Sequence, residues 1–190
     1  MVWRVGISST QKNKDYKDLK IPKEEPLLLE NSVHTDNRGK FVRIFDVEKI
    51  KSKTNFLMKV EQSNLSYNPA IHTLRGMHFQ ISGPDEHKII IVVCGKVFIN
   101  VSNAHLSNRV KTKNFRFTIN DQSNSSLIVP AGWATGWLSL EKNTVIEYFM
   151  TARFEACSYG GFKYNDSKAK LFWPNQPQVL SKKDQSWNPI

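Results

Sequence analysis

Short β-like runs, each closed by turn chemistry, constrain this fold more than any other feature of the chain. The runs expected as strands cover residues 27–30, 40–45, 56–64, 73–80, 88–93, 96–102, 113–119, 126–129, 133–140 and 144–151. Between them stand DNRG, YNP, ISGPDE, CGK, NDQSNSS and PAG, rich in the residues that favour turns. VFINVSN (97–103) alternates apolar and polar side chains, as a half-buried antiparallel strand does. IIIVVC (89–94) is short and β-branched, so it reads as a strand buried on both faces. Many short strands at regular spacing point to a β-sandwich or barrel. Helix signals are weak: DVEKIKS near Asp46 and LSKKDQ near the C-terminus offer a turn or two each. There is no internal repeat and no low-complexity segment.

With 190 residues, 39% of them hydrophobic, the chain can build one domain with a real core. Residues 1–25 are polar and lysine-rich and are expected to form an arm; residues 26–190 are expected to form a single domain. No apolar run approaches the roughly 18 residues of a membrane helix. MVWRVGISSTQKNKDYKDLK has no apolar signal core, so a cytoplasmic protein is expected. Cys94 and Cys157 stand far apart without metal-like spacing, and are read as free thiols. The net charge of +10 suits an anionic partner. The basic residues are spread along the chain, and no helix-turn-helix, RNA-recognition or zinc-finger pattern is present. Nucleic acid is therefore not the expected partner.

TLRGMHFQ (73–80) concentrates the chemistry. Strict alternation places Arg75, Met77 and Phe79 on one face and Leu74, Gly76, His78 and Gln80 on the other. A bend at Gly76 would bring Arg75 into the cavity that His78 faces. A histidine lining a barrel titrates near neutrality and can act as a general base. Taken alone, His78 is more commonly a hydrogen-bonded core residue. A metal site is not expected. His72, His78 and His87 form no HxH pair, and the turn Pro130-Ala-Gly132-Trp-Ala-Thr135 ends in threonine where metal-binding barrels of this type carry histidine.

Seven segments together resemble one family: HTDNRGKF (34–41), TLRGMHFQ (73–80), KIIIVVCGKVF (88–98), VPAGWATGWLSL (129–140), EYFMTARF (147–154), GGFKYND (160–166) and FWPNQPQVLSKKD (172–184). In this order and spacing, across roughly residues 25–185, they are similar to the dTDP-4-dehydrorhamnose 3,5-epimerases and relatives acting on other nucleotide-linked 4-keto sugars. The resemblance implies an all-β jelly-roll barrel (a double-stranded β-helix, cupin-like) with short peripheral helices. It also implies a homodimer with exchanged N-terminal strands, no metal and no cofactor. The expected ligand is a nucleotide-diphosphate 4-keto sugar, made for surface polysaccharides such as O-antigen or capsule. His78 matches the base, Asp184 its carboxylate partner, Lys88 the lysine beside the enolate oxygen, and Tyr148 the acid on the opposite face. Arg75 and Arg38 match diphosphate-binding arginines, Arg38 reaching a neighbouring subunit's site. Gln62, Asn64, Phe41, Arg43, Thr135 and Phe154 fall at further substrate-binding positions. Inverting a carbon beside a ketone needs this equipment: one group removes the proton, another returns one from the other face, and a cation steadies the enolate.

Three departures stand out. Thr135 occupies the histidine position of the family's PxGFxHG turn. Arg43 replaces a glutamate near the nucleobase; a carboxylate accepts hydrogen bonds and a guanidinium only donates, so GDP and CDP are expected beside dTDP as candidate nucleotides. Ile99 and Asn103 replace acidic residues, and His105 an arginine, on the strand VFINVSN and just after it. A ketoisomerase, a single-centre epimerase or a non-catalytic sugar-nucleotide binder are the alternatives.

Overall fold

A computed structural model describes residues 19–190, apart from the side chain of Cys157. Most of the expected polar arm lies outside these residues. At its described end, Leu19 is buried with Met77 and Phe79, and Lys20 donates to the Gly83 carbonyl at 2.7 Å. Cys94 is a free, exposed thiol.

Among the described residues, β1 (Leu27–Glu30), β9 (Ser125–Val129), β6 (Lys88–Cys94), β11 (Thr144–Met150) and β4 (Gln62–Asn68) form one antiparallel sheet in that order. A second sheet runs β12 (Tyr159–Gly161), β5 (Leu74–Gln80), β10 (Ala134–Ser139), β7 (Lys96–Ser102), β8 (Asn114–Asn120). A separate hairpin pairs β2 (Ser32–Asp36) with β3 (Gly39–Arg43). The two sheets face each other as a jelly roll, and α1 (Val47–Lys53) and α2 (Lys182–Gln185) lie outside it.

The interior follows from alternation. Ile90 and Val92 of β6, Ile99 and Val101 of β7, Trp137 of β10 and Ile146 of β11 meet between the sheets. The intervening Ile89 and Ile91 of β6 turn outward into a second cluster with Ile50 of α1. The strand is thus buried on both faces from Lys88 to Val92, as its apolar run foretold, while Val93 and Cys94 at its end are exposed. α1 begins where expected, because the Asp46 side chain accepts from the Lys49 N–H at 3.1 Å.

One expectation fails locally, and two strands went unpredicted. Residues 56–61 are not part of the expected strand 56–64. Phe56, Met58 and Val60 alternate because they pack onto the outer cluster, not because a neighbour completes a ladder. β2 and β12 went unread. β2 is almost wholly exposed and carries no apolar alternation, and β12 is three residues, two of them glycine.

Candidate active site

A cavity of about 850 Å³ opens between the sheets, walled by β4, β5, β6, β10, β11 and the C-terminal segment. The local geometry of β5 decides what faces it. Thr135 of β10 lies opposite His78 and Trp137 opposite Arg75, so three steps on β5 match two on β10. This bulge breaks strict alternation. Arg75 and His78 both line the cavity, while Met77 and Phe79 are buried on the far side of the sheet. The expectation that Arg75 shares a face with Met77 and Phe79 is therefore corrected, in the manner the glycine allowed. Gly76 sits at φ +117°, and a Cβ there would lie 2.6 Å from the Gly136 Cα and 2.7 Å from the Thr135 oxygen. No other residue fits without moving the neighbouring strand.

α2 delivers a carboxylate to β5. The segment before it makes a parallel bridge between Val179 and Thr73. Ser181 caps the helix, and Asp184 reaches the His78 Nε2 at 2.6 Å. The Gly76 N–H and the Trp187 Nε1–H also donate to Asp184, each at 3.3 Å. Asp184 is buried, which pushes its pKa upward. The hydrogen bond and charge of His78 and the two N–H donors outweigh this and hold it below the ordinary carboxylate range. A carboxylate that only accepts requires the proton on His78 Nε2, which leaves Nδ1 with a lone pair available as a base.

The opposite sheet carries the other groups. Tyr148 of β11 and Lys88 of β6 lie on adjacent strands, Lys88 pairing in register with Met150. Burial raises the Tyr148 phenol above its ordinary value. The Arg75 guanidinium pulls it down, and the Glu86 carboxylate adds to the rise. The phenol therefore keeps its proton at neutral pH. Lys88 Nζ sits 2.7 Å from Glu86 Oε1, in a pair with 10% and 1% side-chain exposure.

The remaining positions divide in two. Gln62, Asn64, Thr135 and Phe154 line the cavity. Gln62 accepts from the Phe154 N–H at 2.6 Å, and Phe154 stacks on Tyr159. Arg75 spends one N–H on Asn68 at 3.0 Å and another on the Tyr67 carbonyl at 3.3 Å. Arg38, Phe41 and Arg43, by contrast, are on the hairpin and do not line this chain's cavity. Arg38 pairs with Asp36, Arg43 with Asp46 at 3.3 Å, and Phe41 is 66% exposed. Sequence reading missed Glu86, Trp137, Tyr159 and Trp187. Two had a signal. Glu86 is two residues before Lys88, the spacing of same-side neighbours on a strand, and Trp187 is three residues past Asp184, just beyond the end of α2. Among the described residues, no three His, Cys, Asp or Glu side chains converge to hold a metal ion. His87, weighed as a ligand, instead stacks on Phe56 and accepts from the Ala131 N–H at 3.2 Å.

Residues 20–190 match the profile of the dTDP-4-dehydrorhamnose 3,5-epimerase family. The enzyme of that name from Sinorhizobium fredii is 32% identical over 152 residues, 80% of this chain and 77% of the relative. The solved structure of that from Elizabethkingia anophelis is similar at TM-score 0.78 and 26% identity, over 90% of this chain and 94% of the other. That from Bacillus anthracis, with TDP and PPi bound, is similar in fold at TM-score 0.79 and 24% identity, over 94% and 97%.

Proposed function

Because this chain belongs to the dTDP-4-dehydrorhamnose 3,5-epimerase family, a family of isomerases, we propose that it inverts C3, C5 or both in a nucleotide-diphosphate 4-keto sugar through an enolate, without a metal. One observation carries the reading. His78 on one sheet, paired with Asp184 of α2, shares a single cavity with Tyr148 and Lys88 of the opposite sheet. Inversion requires that opposition, since the proton leaves one face of the ring and another arrives at the other.

His78 Nδ1 takes the acidic C–H proton, and Asp184 steadies the imidazolium that forms. The electron pair moves onto the keto oxygen, where the Lys88 ammonium stabilises it. Tyr148, still protonated, donates to the opposite face of the same carbon. Arg75 binds the diphosphate with its remaining N–H donors. Arg38, Phe41 and Arg43 reach the site of a second copy in a homodimer with exchanged N-terminal strands, which agrees with their distance from this chain's own cavity. dTDP is the first nucleotide to test, given the TDP bound by the Bacillus anthracis relative. Arg43, in place of an acid, keeps GDP and CDP in the comparison. The product feeds surface polysaccharide synthesis.

The test incubates the protein in D2O with dTDP-, GDP- and CDP-linked 4-keto sugars and follows deuterium at C3 and C5. Wild type exchanges and inverts. His78→Ala loses exchange by about 100-fold or more, the contribution of a positioned base. Tyr148→Phe retains exchange but loses inversion, because the base still works and returns its proton to the same face. Nucleotide binding with no exchange from any substrate would mean a binding protein instead.

A further inference from the structure

Resting on the epimerase reading, we infer that Glu86 is a positioning residue that holds the Lys88 ammonium, and its charge, on the cavity wall. Glu86 lies in the connection from β5 to β6, and its carboxylate meets Lys88 Nζ at 2.7 Å. Its side chain is 1% exposed, and Oε2 is buried with no hydrogen-bond partner. The backbone around it is tied down on both sides. The Glu86 N–H donates to Gln80 Oε1 at 3.3 Å, and the His87 N–H donates to Thr151 Oγ1 at 2.8 Å.

A carboxylate this deep is tolerable only with its charge answered, and Lys88 supplies that answer. The dependence is mutual. Lysine is a flexible chain with three rotatable donors, and nothing in its own stem would aim it. The other charged or titratable groups that line this cavity are Tyr67 of β4, Arg75 and His78 of β5, Tyr148 of β11, Tyr159 of β12, and Lys183 and Asp184 of the C-terminal segment. Glu86 answers the Lys88 charge directly at 2.7 Å, so the ammonium is held at the place where an enolate oxygen would develop. The same carboxylate adds to the upward push on Tyr148, so one buried charge biases both the cation and the acid of this wall. Glu86 is not among the residues that line the cavity. It acts through Lys88.

The experiment compares wild type, Glu86→Gln and Glu86→Asp. Acetic anhydride at mildly alkaline pH modifies only unprotonated amines, and peptide mass spectrometry reads Lys88 against the other lysines. In Glu86→Gln, Lys88 acetylation rises several-fold, and the Tyr148 phenol ionises at lower pH, read by tyrosinate absorbance against Tyr148→Phe. Turnover falls about 10- to 100-fold, the usual effect of an outer-shell partner, with KM nearly unchanged. Glu86→Asp recovers part of each. Unchanged Lys88 reactivity in folded Glu86→Gln overturns the assignment, as does a turnover loss that merely follows loss of folded protein. Should Glu86→Gln fail to fold, Lys88→Met decides. The isolated Glu86 then takes up a proton, visible in its carboxyl carbon shift, and an unmoved shift overturns the assignment. The labelling needs no substrate. A wild type without epimerase activity would therefore sink the functional reading while Lys88 reactivity still decides the role of Glu86.

Discussion

His105 shows how far one side chain's role departs from its chemistry on paper. It replaces a cation in the family pattern, yet it is no cation here. Its ring stacks on Phe79 with centroids 4.1 Å apart and lies near Phe162, and Nδ1 has no partner among the described residues. Burial pushes its pKa down to about 3. The folded chain therefore refuses a proton that the unfolded chain accepts below the ordinary value of 6.5. Stability from this group is complete above that value and drains away as pH falls toward about 3, by up to about 1.4 kcal/mol per unit. His87, also depressed by burial, works in the same direction. Phenylalanine preserves the stack and removes the titration. Urea unfolding at pH 7 and pH 4.5 should show His105→Phe losing less stability on acidification than wild type. Equal losses in both would show that the ring is already protonated when folded.

At the level of elements, the bulge in β5 matters most. It turns Arg75 and His78 to one side, and it depends on Gly76. Gly76→Ala sets a Cβ against the Gly136 backbone and forces a left-handed φ on alanine. The expected cost is about 3 kcal/mol or more, the strain together with the strand displacement. Thermal melting should fall by several degrees, and any folded fraction should have lost epimerisation beyond its loss of stability. A melting point equal to wild type would show that the strands tolerate the shift. The sequence made this element legible in type and nearly in extent, since 73–80 was expected and Leu74–Gln80 is found. What alternation could not carry was the bulge, because a period of two has no place for an extra residue. β5, β6, β7 and β11 were readable because burial on one or both faces writes itself into the side chains. β2 was not, since an exposed hairpin needs no apolar pattern. The Phe56–Val60 stretch misled for the converse reason: its alternation records packing without a partner strand. The dyad was legible only through a resemblance. His78 and Asp184 are far apart along the chain, and no local rule links a strand residue to a C-terminal helical turn.

The molecule as a whole sets the arithmetic of the site. One chain's cavity holds the dyad, Lys88, Tyr148 and Arg75, while Arg38 and Phe41 sit on a hairpin whose strands, among the described residues, pair only with each other. Large apolar side chains stand exposed on the hairpin and on β4, among them Phe41 at 66%, Tyr67 at 63% and Leu65 at 52%. We propose that a second copy covers them and brings its Arg38 to the Arg75 side of this chain's cavity. That arrangement can be separated from a purely structural role for Arg38 by mixing two defective proteins. Arg38→Ala should weaken substrate capture, and His78→Ala should abolish proton removal. If Arg38 serves its own cavity, subunit exchange between the variants leaves every site with one defect. If it serves the partner's cavity, each mixed dimer gathers both defects in one site and leaves the other intact. Random exchange at equal amounts then restores about one quarter of the wild-type activity per chain, since half the dimers are mixed and half their sites are whole. Refolding the variants together, and assaying against each refolded alone, gives the answer directly. Restored activity places Arg38 in the neighbouring site. Activity no greater than the sum of the separate proteins, with mixed dimers confirmed by native mass spectrometry, confines it to its own chain.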